Sequence, residues 1–333
     1  MKTVCVLGEG AWGTAIATLL ASNNIEVQLW CYDKNIAEDI KISRYNNRYL
    51  PNVYLDAKIK PITDIAKATK NVSWIFEAIP VKFLRKVIEE IKQYAVNEKN
   101  WVILSKGIEQ DTLLLPSQII DDVFKISVPK AVLLGPSYAQ DLAHKEITAV
   151  TLGVNDCMLG YSLQELLNND YFRSYLSLDI MGAQVGAAIK NVITLAVGML
   201  DGAGHTDNVK AFILTRGLTE MITLAKLYNG RPETLYGLCG VGDLVLTAMG
   251  KLSKNREVGR RLGKGQKLEK ILDETGYIPE GINTVNSVHQ LIENHNLDLP
   301  ICNGVYQIIN GKQSIDGLLT LLMQRPPEQD CVF

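Results

Sequence analysis

The 333-residue sequence lacks the features of several protein classes. Its 34 basic and 36 acidic side chains leave a formal net charge of −2, so the chain as a whole has no electrostatic footprint for nucleic acid. Its six cysteines include no C-x-x-C pair, and its four histidines show no metal-ligand spacing. These cysteines indicate buried thiols in a reducing compartment rather than a disulfide framework or a zinc site, and we expect no bound metal.

Long hydrophobic runs are also scarce. The N-terminal apolar stretch is interrupted by Glu9, three glycines and Trp12, so it does not match the apolar core of a signal peptide. No run reaches the roughly 18 consecutive apolar residues of a membrane span. We therefore expect a cytoplasmic protein without a membrane span. With 47% hydrophobic and 21% charged residues the chain can form sizeable cores, and its length favours two domains.

Two kinds of pattern divide the chain. In the first part, short apolar strands such as Thr3–Leu7 alternate with amphipathic helices such as Val81–Tyr94, whose apolar face is expected to include Phe83. Apolar strands that alternate with helices predict a parallel sheet covered on both faces. In the second part the strand signal fades and helical patterns dominate. We therefore predict a Rossmann-type α/β domain over 1–180, with a doubly wound, mostly parallel sheet, and an all-α C-terminal domain over 181–333.

A glycine motif follows the first strand and opens the first predicted helix. Gly8, Gly10 and Gly13 permit, in turn, a tight turn, close approach of the backbone to a pyrophosphate, and close packing of helix on strand. Asp33 lies about 20 residues after the motif, where an acid suits the ribose 2′-hydroxyl of NAD. Lys34 beside it suits the 2′-phosphate of NADP. The pattern leaves both cofactors open, and we expect their use to differ by no more than about tenfold.

A single charge interrupts an apolar helix in the second part. Lys190, followed by Asn191, is the only charged residue in Met181–Leu200. Burial of an ammonium is costly unless it is paired, and burial eases the loss of its proton, which suits a general acid/base. Gly186 and Ala187 leave room for a ligand on the same face. The alternative is a structural lysine whose ammonium extends to the surface of the domain.

Three polar loops are further candidates for ligand contacts. Ser105-Lys106-Gly107 and Gly135-Pro136-Ser137 each follow a predicted strand, and ligands of doubly wound sheets bind beyond the carboxyl ends of strands. In the helical part, Ser253 is predicted to be an N-cap, and the helix start after it offers N–H groups to an anion. Phosphate binding and simple capping stay equally open there.

These motifs, taken in order, resemble those of the bacterial NAD(P)-dependent glycerol-3-phosphate dehydrogenase family. The likeness covers nearly the whole chain and includes GEGAWGTA at 8–15, LLGPSYA at 133–139, IKNVITLAVGMLDG at 189–202, GVGDLVLT at 240–247 and SKN at 253–255. It implies reversible reduction of dihydroxyacetone phosphate to sn-glycerol 3-phosphate with NADH or NADPH, a reaction that feeds phospholipid synthesis. It also implies a small phosphorylated substrate and leaves a homodimer open.

The resemblance implies a role for each matching position. Lys190 resembles the general acid/base of the family. The residues that resemble substrate contacts, with the neighbouring positions, are Lys106, Gly135, Ser137, Lys190, Asn191, Asp243, Ser253, Lys254 and Asn255. The residues expected at the dinucleotide, from the glycine motif and the resemblance together, are Gly8, Gly10, Ala11, Trp12, Gly13, Tyr32, Asp33, Lys106, Ala139, Lys254, Ile278 and Glu280.

Two departures and two other functions stay open. Lys254 stands where the family usually has arginine, so the positive charge is kept but the bidentate fork is lost. Glu77 interrupts an otherwise apolar strand. A β-hydroxyacid-type dehydrogenase would have the same architecture, because a carboxylate substrate also suits serine, lysine and asparagine. A non-catalytic dinucleotide-sensing protein is the other alternative, although it would be expected to lack Lys190.

Overall fold

The protein is described by a computed structural model that covers residues 2–94 and 96–326. Contacts within the chain define two compact units. Over the described residues, unit 1 comprises 2–106 and 115–180, and unit 2 comprises 107–114 and 181–326. The last seven residues of the predicted helical domain, 327–333, lie outside the described part of the chain.

The segment 107–114 differs from the predicted boundary, which places it in the first domain. In the structure the hydroxyl of Ser287 donates a hydrogen bond to the carbonyl of Ile108 at 2.9 Å. The hydroxyl of Tyr228 donates to the carbonyl of Leu113 at 2.6 Å. These long-range bonds hold the loop to unit 2, and no local sequence pattern signals them.

Unit 1 is built on strands that pair in the predicted manner. The strands are β1 (Thr3–Leu7), β2 (Glu26–Trp30), β3 (Tyr45–Asn46), β4 (Leu50–Tyr54), β5 (Ile59–Ile62), β6 (Trp74–Glu77), β7 (Asn100–Ile103), β8 (Lys130–Leu134), β9 (Thr148–Val154) and β10 (Phe172–Ser177). Eight of them form one sheet in the order β10-β9-β8-β7-β6-β1-β2-β5, and β3 and β4 pair separately. All neighbours in the large sheet are parallel except β8 and β9, so the prediction of a mostly parallel sheet is confirmed.

Helices of unit 1 pack in two groups. They are α1 (Ala11–Ser22), α2 (Lys34–Ser43), α3 (Ile65–Thr69), α4 (Val81–Ile91), α5 (Pro116–Phe124), α6 (Ala139–Ala143) and α7 (Cys157–Leu167). Helix α1 contacts α6 and α7, whereas α4 contacts α5. The chain moves from β1 to β2 in one direction and from β6 to β7 in the other. Because such crossovers are right-handed, α1 and α4 cover opposite faces of the sheet, as a doubly wound fold requires.

The predicted helix over Val81–Tyr94 is correct in kind but differs in detail. Its α-helical part ends at Ile91, and Lys92–Tyr94 form a short 3₁₀ turn. The expectation that Phe83 lies on the buried face is wrong, because its side chain is 53% exposed. The ammonium of Lys82 lies 5.7 Å from the centre of the Phe83 ring and covers part of this apolar surface.

Unit 2 is helical, as predicted. Its helices are α8 (Ile180–Ala203), α9 (Asp207–Leu227), α10 (Asp243–Met249), α11 (Lys254–Gly263), α12 (Leu268–Thr275), α13 (Glu280–His295), α14 (Pro300–Ile309) and α15 (Ile315–Gln324). In the part of the chain that is described, α8 is the one helix long and apolar enough to cross a membrane. The apolar window of α8 is 94% buried inside the protein, which is typical of a core helix. The sequence analysis expected no apolar run long enough to span a membrane, and α8 reaches that length only when the few polar residues within it are counted.

Helices α8 and α11 approach each other through glycines. A Cβ atom on Gly198 would lie 2.3 Å from the carbonyl oxygen of Arg256, and one on Gly259 would lie 2.3 Å from that of Leu195. Such distances exclude any side chain, so the two backbones are in direct contact. This packing carries the start of α11 to the buried centre of α8, where two groups of predicted site residues meet.

Candidate active site

The glycine loop of unit 1 has the geometry that the motif predicts. Gly8 has φ of +114°, a conformation that L side chains rarely adopt. A Cβ atom on Gly13 would lie 2.1 Å from the carbonyl oxygen of Gly8, so only glycine allows helix α1 to pack this closely on the turn. At Gly10, in contrast, no atom lies within 4 Å of a Cβ position. The backbone at Gly10 therefore faces open space.

The start of α1 offers hydrogen-bond donors beside this open space. Gly10 is the N-cap and has no side chain to accept a bond from the first turn, which comprises Ala11, Trp12 and Gly13. The indole N–H of Trp12 is buried and has no hydrogen-bond partner among the described residues. Free donors and the positive end of a helix dipole suit a pyrophosphate, so these residues fit an NAD or NADP molecule.

The end of β2 is occupied by an acid that the sequence analysis did not assign. The carboxylate of Glu9 accepts the backbone N–H of Tyr32 and of Asp33, each at 3.1 Å. The side chain of Tyr32 is 80% exposed. The carboxylate of Asp33 caps α2 by accepting the N–H of Asn35 at 2.9 Å, and it pairs with Arg48 at 3.0 Å. Asp33 therefore follows β2 with both of its carboxylate oxygens engaged, one by Asn35 and one by Arg48.

The loops after β7 and β8 meet within unit 1. The ammonium of Lys106 donates to the carbonyl of Gly135 at 3.4 Å, and the hydroxyl of Ser137 donates to the same oxygen at 3.2 Å. The structure thus brings together three predicted contact residues at the carboxyl ends of neighbouring strands. Ala139 begins α6 directly after this loop.

Glu77 ties two of these strand ends together. It is fully buried, and its carboxylate accepts the hydroxyl of Ser105 at 2.7 Å and the N–H of Ile79 at 2.6 Å. Burial raises the pKa of Glu77 to about 7, against the opposing effect of these hydrogen bonds. The residue noted in the sequence as an interruption of a strand therefore connects the loop after β6 to the loop that carries Lys106.

Lys190 is the centre of a buried polar group in unit 2. Its ammonium donates to Asp243 Oδ1 at 2.5 Å and to the hydroxyl of Thr247 at 2.7 Å. The hydroxyl of Thr247 donates in turn to Asp243 Oδ1 at 3.2 Å. The exposed fractions of Lys190, Asp243 and Thr247 are 5%, 1% and 5%. The alternative of a lysine that extends to the surface is therefore wrong, because an ion pair holds this side chain in the interior.

A second network in unit 2 links three helices. Asn191, on α8, accepts a hydrogen bond from the amide of Asn255, on α11, at 3.0 Å. The carbonyl oxygen of Asn255 accepts the N–H of Gly281, at the start of α13, at 3.0 Å. A Cβ atom on Gly281 would lie 2.4 Å from that oxygen and 2.9 Å from the backbone carbonyl oxygen of Asn191, so the position favours glycine. Both asparagines were predicted to contact substrate, and the structure gives them a positioning role as well.

The remaining predicted contacts lie around the starts of α11 and α13. The hydroxyl of Ser253 caps α11 by accepting the N–H of Arg256 at 3.2 Å, so the capping alternative is confirmed without excluding an anion at the same helix start. Lys254 is exposed, and its ammonium lies 4.5 Å from the centre of the Tyr277 ring. Ile278 is 52% exposed, and Glu280 is the first residue of α13.

The structure adds two polar residues to these groups that the sequence analysis does not assign. Thr247 lies one helical turn after Asp243, so an (i, i+4) search around each predicted acid would have found it. Glu9 stands inside the glycine motif but was considered only as an interruption of an apolar stretch. Across residues 2–94 and 96–326, no group of three or more His, Cys, Asp or Glu side chains is arranged to hold a metal ion.

Comparisons with known proteins agree with this arrangement. Residues 3–159 match the family model of the NAD-dependent glycerol-3-phosphate dehydrogenase N-terminus, and residues 179–320 match that of the C-terminus. The chain is 38% identical over 327 residues to a glycerol-3-phosphate dehydrogenase [NAD(P)+] of Bacillus subtilis, covering 98% of this chain and 95% of the relative. An enzyme of the same name from Bacillus pumilus is 37% identical with the same coverage.

The solved structures give the same result. The crystal structure of glycerol-3-phosphate dehydrogenase from Coxiella burnetii is 31% identical to this chain and superposes with a TM-score of 0.93, covering 97% of this chain and 99% of that one. The chain therefore belongs to the NAD-dependent glycerol-3-phosphate dehydrogenase family.

Proposed function

We propose that this chain catalyses the reversible reduction of dihydroxyacetone phosphate to sn-glycerol 3-phosphate with NADH or NADPH. The observation that carries the proposal is the buried group of Lys190, Asp243 and Thr247 in a member of this family. A buried, ion-paired ammonium is costly to retain for stability alone, since apolar side chains of similar size are often as stable. A proton donor for an alkoxide explains why it is there.

Lys190 is the general acid in the direction of reduction. As negative charge develops on the substrate oxygen, the ammonium of Lys190 transfers its proton to that oxygen, and the neutral amine takes the proton back in the reverse direction. The carboxylate of Asp243 accepts a hydrogen bond from this ammonium at 2.5 Å and so fixes its direction. Thr247 restricts both partners, because its hydroxyl contacts each of them.

The start of α11 is the proposed phosphate site. Its backbone N–H groups and helix dipole favour an anion, and Ser253, Lys254 and Asn255 are the side chains assigned to it. Among the described residues, Asn255 uses its oxygen and one amide hydrogen within unit 2, and its second amide hydrogen is the one assigned to the ligand. Asn191 then acts by holding Asn255 in place. Lys254 contributes positive charge, and its position over the Tyr277 ring limits its motion.

Unit 1 is the proposed dinucleotide-binding domain. When bound, the nicotinamide supplies the hydride that reduces the carbonyl carbon of the substrate. The glycine loop and the start of α1 hold the pyrophosphate, and the end of β2 holds the adenosine ribose. Ala139, Ile278 and Glu280 are further proposed contacts of the dinucleotide. Lys106, fixed by Gly135, is the proposed cation that orients the substrate or polarises its carbonyl.

A steady-state assay tests the function. Dihydroxyacetone phosphate should be turned over with NADH or NADPH, and a panel of 2-oxo and 3-hydroxy acids should not. Turnover of an acid in place of dihydroxyacetone phosphate would favour a β-hydroxyacid-type dehydrogenase. Binding of a dinucleotide without turnover of any of these compounds would favour a dinucleotide sensor. Either result would overturn the proposal.

We propose that the protein functions in the cytoplasm. We also propose that it forms a homodimer. The cysteines at 5, 31, 157, 239 and 302 are free, and four of the five are buried, which fits a reducing compartment.

Light scattering on a gel-filtration column measures the mass of the particle in solution and so tests the homodimer. A mass of one chain across the working concentration range would contradict the dimer.

A further inference from the structure

Glu9 is a buried acid to which neither the motif nor the family resemblance gives a role. It lies between the first two glycines of the loop, and only 7% of its surface is exposed. Its backbone is fixed, because its carbonyl accepts hydrogen bonds from the amide of Asn46 at 2.7 Å and from the hydroxyl of Thr14 at 2.9 Å. Its carboxylate is fixed by the N–H groups of Tyr32 and Asp33. The carboxylate of Glu9 therefore places a fixed acidic group directly after β2.

The N–H groups of Tyr32 and Asp33, which bind Glu9, follow β2, the strand whose end distinguishes NAD from NADP in doubly wound folds. In doubly wound folds the residues just after the second strand face the 2′ position of the adenosine ribose. NADP carries a phosphate monoester at that position, with close to two negative charges at neutral pH, and such a group needs donors such as backbone N–H. In this protein the N–H groups of Tyr32 and Asp33 already bind the carboxylate of Glu9.

Other charges near the end of β2 do not offset Glu9. Asp33 adds a second carboxylate. The cation of Arg48 is paired with Asp33, and its side chain is 63% exposed. Lys34 is exposed to solvent. The neighbouring thiol of Cys31 responds to this negative environment, since burial, reinforced by Glu9 and Asp33, raises its pKa to about 12. The field at this strand end is therefore negative on its buried side.

We propose that Glu9 selects NAD(H) over NADP(H) by occupying the backbone donors that a 2′-phosphate would require and by repelling its charge. The inference rests on the proposed function, because it concerns the dinucleotide of that reaction. It replaces the expectation that the two cofactors differ by no more than about tenfold. Asp33, whose oxygens cap a helix and bind Arg48, contributes less to the selection than Glu9.

Equilibrium binding measures the selection without any dependence on turnover. Quenching of protein fluorescence gives Kd for NADH and NADPH in the full-length wild type and in four variants, Glu9→Ala, Glu9→Gln, Asp33→Asn and Glu38→Gln. Glu9→Ala frees both N–H groups, whereas Glu9→Gln removes the charge but keeps the bulk. Asp33→Asn keeps a helix cap, and Glu38→Gln is a matched loss of one exposed acid on α2.

The expected result is a wild type that binds NADH at least about tenfold more tightly than NADPH, which equals about 1.4 kcal/mol. Glu9→Ala should reduce this ratio by at least about tenfold, mainly through tighter NADPH binding, and Glu9→Gln should have an intermediate effect. Asp33→Asn should change the ratio less, and Glu38→Gln should not change it.

Three outcomes would overturn the inference. One is equal affinity of the wild type for both cofactors, and another is an unchanged ratio in Glu9→Ala that still binds NADH as the wild type does. The third is a larger effect of Asp33→Asn than of Glu9→Ala. If the wild type bound neither cofactor, the proposed function would fail as well. If Glu9→Ala does not fold, the isosteric Glu9→Gln decides by the same ratio.

Discussion

Replacement of Lys190 by methionine separates chemistry from stability in this protein. Methionine keeps the length and apolar character of the lysine side chain but has no proton to transfer. The loss of a general acid/base lowers kcat by about 10²–10⁴. The structure adds a second effect, because Asp243 is 1% exposed and would lose the counter-charge that lies 2.5 Å away.

The size of this second effect follows from the burial. Removal of one member of a buried ion pair costs about 3–5 kcal/mol, because the other charge stays in the interior without its partner. Natural domains have only about 5–15 kcal/mol of unfolding free energy, so Lys190→Met alone could lose activity through unfolding. The double variant Lys190→Met/Asp243→Asn removes both charges and keeps a polar group beside Thr247. It should be more stable than Lys190→Met.

Denaturant unfolding, steady-state kinetics and NADH binding together test this reasoning. We expect the double variant to recover at least about 1 kcal/mol relative to Lys190→Met, since directly contacting residues couple this strongly. We expect its kcat to stay as low as that of the single variant. We expect NADH binding to persist in both, because neither substitution changes a residue assigned to the dinucleotide. Recovery of kcat together with stability would show that Lys190 is structural. Near-normal kcat in Lys190→Met itself would refute the assignment directly.

The fold was predictable where a strand or helix is buried along its whole length, because its apolar residues then follow one regular spacing. Strand β1 is apolar at every position after Thr3, and its observed bounds are those that the sequence predicts. The two edge strands of the sheet have a weaker sequence signal than β1, for a physical reason. Strand β5 contains Pro61, which a central strand does not tolerate, but β5 pairs only with β2 and ends the sheet. Strand β10, at the opposite edge, alternates buried and exposed residues over only its first four positions.

The site was predictable in its residues but not in its pairings. An isolated charge in an apolar helix identified Lys190 because burial of a charge is costly wherever the helix packs. Its partner Asp243 is 53 residues away, and no local period relates the two. The same limit applies to Asn191 and Asn255, which are 64 residues apart and meet only because glycines let α8 and α11 touch. For Glu9 neither the residue nor its pairing was predictable. Its position resembles that of an ordinary loop residue, and its hydrogen-bond partners follow a different strand.

Two further predictions concern a surface cation and two buried acids. Lys254→Ala should raise KM for dihydroxyacetone phosphate severalfold and leave kcat largely unchanged, and Lys254→Arg should preserve KM; equal KM in all three proteins would place the side chain away from the phosphate. Burial raises the pKa of both Glu77 and Glu220 to about 7 from an ordinary value of 4.5. Between these two pH values the folded protein holds protons that the unfolded chain has already released, so the free energy of unfolding should fall as the pH rises through this window. Urea unfolding at a series of pH values measures this slope, which Glu77→Gln and Glu220→Gln should each make shallower. Glu220 accepts the N–H groups of Ile301 and Cys302 on its two separate oxygens. Glu220→Gln keeps only one acceptor oxygen, so it should lower the free energy of unfolding at every pH, and the slope against pH is the quantity to compare. An unchanged slope in both variants would mean that these carboxylates ionise in the folded protein as readily as in the unfolded chain.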